Sequence, residues 1–143
     1  MSEQQNIKAA QAFIEAWNAG DLSRGDAYEA DNFMAEGPGA PGPMNSAQNR
    51  AYTQNFLTAF PDSKFEVTLT IAQGDHVVTH WKASGTHKGP LGTPSGGAIP
   101  PTGKMATVMG STTAEVKNGK VTRSWTYWDM TSLLTQLGLM PPM

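Results

Sequence analysis

The sequence predicts an α+β fold, with helices packed on one face of a strongly curved antiparallel sheet. Three observations predict it. Apolar residues recur at helical spacing near the start: Ile7, Ala10, Phe13, Ile14 and Trp17. From Lys64 onward the pattern changes to long strand-like segments, 64–71, 77–86, 105–117 and one starting at Lys120. Between the last two stands Asn118-Gly119, where both residues accept positive φ, so those segments pair as a hairpin.

Each element follows in order. Ser2 and Gln5 have capping-box spacing, and the first helix is expected to run to Asn18-Ala19 with Gly20 closing it. Asp21 starts a short second helix to about Tyr28. Residues 30–35 read as a loop or short strand. The segment Gly-Pro-Gly-Ala-Pro-Gly-Pro at 37–43 excludes a helix or central strand and reads as a rigid loop. Asn45 and Gln48 repeat the capping-box spacing. Tyr52, Phe56, Ala59 and Phe60 give that helix its apolar face, and Pro61-Asp62-Ser63 ends it.

In the first strand Phe65, Val67 and Leu69 alternate with Glu66, Thr68 and Thr70. After a turn at 72–76, the second strand places Val78 and His80 on one face, with Val77, Thr79 and Trp81 on the other. The Gly- and Pro-rich stretch 87–103 lacks periodicity and reads as a lid or binding loop. Leu133, Leu134 and Leu137 mark a terminal helix capped by Gly138. The apolar tail 139–143 is expected to be pinned to the body or to a partner chain.

Composition narrows the functional classes. A chain of 143 residues is one domain, 1–143, with room for one core. Ten basic residues against twelve acidic ones, scattered singly, give no electrostatic case for nucleic acid or an anionic membrane. Cysteine is absent, which removes disulfides, a Cys nucleophile and thiolate metal sites. No basic-then-apolar leader and no membrane-length apolar run is present, so a cytoplasmic location is expected. His76, His80 and His87 lie on turn and strand without convergent spacing, so no metal is expected. No P-loop or nucleophile-elbow sequence occurs.

The candidate site centres on the last strand. Alternation from Lys120 puts Val121, Arg123, Trp125, Tyr127 and Asp129 on one face, and Thr122, Ser124, Thr126 and Trp128 on the other. A carboxylate beside two large aromatics is a place for a proton-transfer group. Asp129 reads equally as the N-cap of the terminal helix. His80 reads as a base or orienting donor, or as a half-buried hydrogen-bonded histidine. His87 either reaches the pocket mouth or faces water. Asn32 is a possible pocket amide. Trp17, Tyr52 and Phe56 are core residues or substrate contacts.

Several stretches together resemble the SnoaL-like polyketide cyclases, or ester cyclases, of the NTF2-like superfamily. They are Phe13–Asp21, Ala59–Asp62, Gly85–Gly89, Pro101–Lys104, Asn118–Val121, Trp125–Asp129 and Gln136–Gly138 with Pro141. The resemblance implies a cone barrel whose N-terminal helices enclose a pocket, and a homodimer pairing sheet faces, with 122, 124, 126 and 128 as contact candidates. It also implies a cofactor-free intramolecular aldol reaction on a small apolar or aromatic carbonyl compound, with Asp129 as acid/base. The long strand before it carries no histidine where cyclases often have one. A non-catalytic small-molecule-binding protein is the alternative.

Overall fold

A computed structural model describes residues 2–93 and 96–139. Helices α1 (Glu3–Ala10) and α2 (Ala12–Asn18) are followed by a 3-10 helix, Leu22–Tyr28, and strand β1 (Glu29–Glu36). Helix α3 (Ser46–Ala59) precedes β2 (Lys64–Gln73) and β3 (His76–Thr86). A two-stranded ribbon, β4 (Leu91–Gly92) and β5 (Ala98–Ile99), interrupts the long loop. Strands β6 (Met105–Lys117) and β7 (Lys120–Trp128) and helix α4 (Met130–Gln136) complete the chain.

Local chemistry explains the element ends. Both capping boxes form, Ser2 with Gln5 and Asn45 with Gln48. Asp21 N–H reaches Ala16 O and Gly20 N–H reaches Trp17 O, a Schellman closure of α2, and Leu139 and Gly138 close α4 in the same way. The single N-terminal helix expected from the stripe is instead two helices. The break is at Gln11 (φ −100°, ψ 3°), whose side-chain amide leaves the helix to donate to Thr70 Oγ1 at 2.9 Å.

The five-stranded sheet has the order β1-β7-β6-β3-β2. β1 runs parallel to β7, and the other neighbours are antiparallel. Asn118 (φ 53°) and Gly119 (φ 76°) make the β6–β7 turn, both in the left-handed region that Asn tolerates and Gly adopts freely. Two bulges decide which side chains face the helices. On β2, Val67 pairs with Trp81 but Leu69 pairs with His80, so Thr68 is an extra residue. On β7, Val121 pairs with Val116 but Arg123 pairs with Glu115, so Thr122 is extra.

Each bulge reverses the alternation beyond it. Leu69, expected on the face of Phe65, turns outward with Ile71, and both are half exposed. The inner face of β3 and β6 carries Val77, Thr79, Trp81, Thr112, Ala114 and Val116, all buried. Gly110 is required at its place: a Cβ there would lie 2.4 Å from the Trp81 ring and 2.9 Å from Tyr127 O, so only a glycine lets the indole cross β6.

The 87–103 loop is fastened to the body. His87 and Lys104 zip its ends (His87 N–H to Lys104 O, 2.9 Å), and the N–H groups of Lys88 and Gly89 both donate to Ala59 O. Asn55 clasps Gly92 with both ends of its amide, at 3.1 and 2.8 Å. Most of the expected terminal tail lies outside the described residues.

Candidate active site

A cavity of about 200 Å³ lies between the inner sheet face and helices α1 to α3. Its walls are mostly aromatic: Phe13 and Trp17 from α2, Tyr52 and Phe56 from α3, Trp81 from β3 and Trp128 from β7. Phe56 meets Trp128 edge-on at 5.4 Å and Tyr52 at 5.3 Å, the arrangement favoured by ring quadrupoles. These contacts fix the wall before any ligand arrives.

The polar groups on the wall are few, and most have partners. Trp17 Nε1 donates to Ser63 Oγ at 2.8 Å, and Trp81 Nε1 to Thr112 Oγ1 at 3.1 Å. Tyr52 spends its hydroxyl proton on Pro38 O at 2.6 Å. Burial raises the Tyr52 pKa, with hydrogen bonding from Trp128 opposing it, so the phenol stays neutral.

Two carboxylates reach the cavity, both from β1. Glu36 is held in an ion pair with Arg123 at 3.1 Å. Glu29 stands where the 3-10 helix passes into β1, and lines both the cavity and a polar depression shared with Asp26, Ser46 and Arg50. Burial raises its pKa above the ordinary 4.5, and the Asp26 charge adds to the rise. A hydrogen bond from Ser46 and the charge of Arg50 oppose it, and Arg50 is itself ion-paired with Asp26. Such a carboxylate is a stronger base than an ordinary one and can accept a proton from carbon.

A family model for SnoaL-like polyketide cyclases matches residues 7–137. The chain belongs to that family. Curated proteins give no sequence match. Among solved structures, this SnoaL-like chain is similar to AclR from Streptomyces galilaeus, provisionally named a hydroxylase. The identity is 25%, the TM-score 0.84, and 99% of this chain and 90% of AclR are covered. It is similar to IdmH from Streptomyces antibioticus, provisionally named a polyketide cyclase, at 27% identity and TM-score 0.78, covering 94% and 99%. A protein with a ketosteroid isomerase-like fold from Catenulispora acidiphila, at 18% identity and TM-score 0.74 over 94% and 98%, shares the fold.

Trp17, Tyr52 and Phe56 line this SnoaL-like cavity. Trp125, Tyr127 and Asp129 do not. The Thr122 bulge turns Ser124, Thr126 and Trp128 inward and sends Trp125 and Tyr127 to the outer face. Asp129 is exposed, and its carboxylate accepts the Ser132 N–H at 2.9 Å as the N-cap of α4. His80 lies on the outer side of β3, opposite the buried Thr79 and Trp81, and Asn32 is exposed on β1.

His87 neither reaches the mouth nor faces water. It is fully buried and stacked on Phe60 at 5.2 Å. Its Nδ1 accepts from the Thr102 N–H at 3.2 Å, which puts the ring proton on Nε2. Burial lowers its pKa, the Gly89 backbone opposing, so it serves the loop closure as a neutral ring. No described residue of the 87–103 loop lines the cavity.

Sequence reasoning missed Glu29, Thr112, Thr126 and Trp128. A carboxylate next to Tyr28 at an element junction was the only local sign of the first. Thr126 and Trp128 needed the β7 register, and Thr112 the pairing of β6 with β3.

The cap at Asp129 gives a stability prediction. Asp129→Ala should lower stability by about 1 kcal/mol, whereas Asp129→Asn, which caps as well, should cost only a few tenths. Thermal unfolding measures both. Loss of turnover in a fully folded Asn variant would return Asp129 to the acid/base role.

Proposed function

We propose that the chain is a cofactor-independent cyclase or isomerase acting on a small aromatic or enolisable carbonyl compound, with Glu29 as its acid/base. One observation carries this reading: a carboxylate without an ion-pair partner among the described residues borders an aromatic cavity, where desolvation raises its pKa. Ionised Glu29 removes a proton from the carbon next to the carbonyl, leaving an enolate. The enolate carbon attacks a second carbonyl carbon in the same molecule. The resulting alkoxide recovers the proton from Glu29. Atoms balance, and no other reactant enters. The test is a screen of enolisable ketones and aromatic keto esters against wild type and Glu29→Gln, read by mass and by exchange of the α-proton with deuterated water. Equal exchange in both proteins would sink the assignment.

A binding protein is the second reading. The outward placement of Asp129 favours it, because the residue expected to do chemistry caps a helix instead. Ligand binding without α-proton exchange across the screen would establish it.

The outer sheet face supports a homodimer, but through different residues from those expected. Ser124, Thr126 and Trp128 line the cavity and are not available. Leu69, Met109 and Tyr127 are 46%, 74% and 67% exposed on the opposite face, an apolar surface that a second copy would cover. Sedimentation at micromolar concentration should show a dimer. The double variant Met109→Lys with Tyr127→Lys should sediment as a monomer.

A further inference from the structure

We infer that the Thr126 hydroxyl is the donor that receives the ligand's carbonyl oxygen, its proton aimed into the cavity by a relay starting at Trp81. The inference rests on the reading that this cavity takes a small carbonyl compound, and it names where the oxygen sits.

The relay follows from counting protons. An indole Nε1–H only donates. Trp81 gives that proton to Thr112 Oγ1 at 3.1 Å, a buried contact. Thr112 is itself buried, and its own hydroxyl proton needs an acceptor. Among the described residues, the neighbouring side-chain oxygen is Thr126 Oγ1, at 2.9 Å. The pair admits either donor, and the relay assigns the donation to Thr112, the more deeply buried of the two. Thr126 Oγ1 accepts, and its own proton has no acceptor within the protein among the described residues.

Trp81, Thr112 and Thr126 all line the cavity, so the free proton belongs to whatever fills it. A chain of hydrogen bonds running one way polarises its last member. That makes Thr126 a better donor to a developing enolate oxygen than an isolated hydroxyl. The other large polar groups on the wall are spent elsewhere, Tyr52 on Pro38 and Trp17 on Ser63. Ser63 accepts from Trp17 and keeps its own proton free, and the Ser124 hydroxyl also lines the cavity, so these two are the competing sites.

Size sets the ligand class. A cavity of about 200 Å³ exceeds the roughly 150 Å³ apolar hole that admits benzene. One or two fused rings with one accepting oxygen fit this description. A bicyclic aryl ketone and the matching hydrocarbon, 1-indanone and indane, make a suitable probe pair.

The experiment measures their affinities by calorimetry, and the C=O stretch of bound indanone by infrared difference spectroscopy. Thr126→Val should weaken indanone about 3- to 10-fold, the worth of one neutral hydrogen bond, and leave indane unchanged. The bound C=O stretch should move to higher frequency. Thr126→Ser, which keeps the hydroxyl, should retain both wild-type values even if the valine variant folds poorly. Trp81→Phe should also raise the stretch, because Thr112 is then free to accept from Thr126 and draws its proton away. A merely steric role for Thr126 would leave the stretch alone.

An indanone affinity and stretch that ignore Thr126→Val, or that respond instead to Ser63→Ala, overturn the inference while the cavity reading stands. Failure of both probes to bind wild type overturns the two together. The Glu29 assignment is separate, since it is read by proton exchange.

Discussion

Glu29→Gln should cut turnover of any accepted enolisable substrate by about 10²–10⁴, the usual worth of a general acid/base. Glutamine keeps the size and polarity of the side chain, so the wall around it stays intact. The pH profile gives an independent reading. The base must be ionised, and its pKa lies above the ordinary 4.5. Wild-type kcat/KM should therefore fall as pH is lowered, with a midpoint above 4.5, and the residual activity of the variant should lack that limb.

Stability should move the other way. A carboxyl whose folded pKa is raised binds its proton more tightly folded than unfolded. Its contribution is most favourable below the unfolded pKa and is lost as pH rises through the folded one. Glu29→Gln removes that loss, so at neutral pH the variant should be no less stable than wild type by urea unfolding. A protein that is inactive yet fully stable separates chemistry from misfolding.

Trp81→Ala should cost about 3–5 kcal/mol, the range for deleting a buried large aromatic. That is a large part of the total stability of a domain of this size, about 5–15 kcal/mol. The indole is 4% exposed, lies 4.7 Å from the Phe65 ring and fills the space left by Gly110. Its loss removes the indole N–H from Thr112 and opens the cavity toward β6. Urea unfolding should show a lower midpoint. A loss below about 1 kcal/mol would mean that the wall collapses to refill the space, and that the aromatic lining is not rigid.

What could be read from the sequence was what short-range chemistry decides. The two capping boxes, the Asn118-Gly119 turn, the Asx cap at Asp129 and the apolar stripe of the first helices each depend on residues within a few positions. The faces of β2 and β7 do not. Thr68 and Thr122 are ordinary strand residues, and they bulge only because of how partner strands pair. Simple alternation therefore turns the wrong face of β7 toward the cavity. His87 looked like a loop residue, yet Phe60 and the 102–104 segment close over it from elsewhere in the chain. The family likeness was legible throughout, because its motifs mark turns, caps and strand ends that survive a change of face. Glu29 was hidden for another reason. Its proton affinity comes from what packs on it, and nothing in its neighbours along the chain specifies that.

The bulge at Thr122 makes the ligand chamber and the outer surface exchangeable. Strand alternation has a period of two, so one residue left out of the pairing acts as a parity switch for everything after it. With Thr122 paired regularly in the ladder, the residues from 123 onward would present Arg123, Trp125 and Tyr127 to the ligand, a cationic and aromatic wall. With the bulge, they present two hydroxyls and an indole. Gain or loss of a bulge at a single site can thus change the chemistry of the chamber more abruptly than any point substitution. An active-site correspondence between two chains of this fold is only as good as the parity of the strand that carries it.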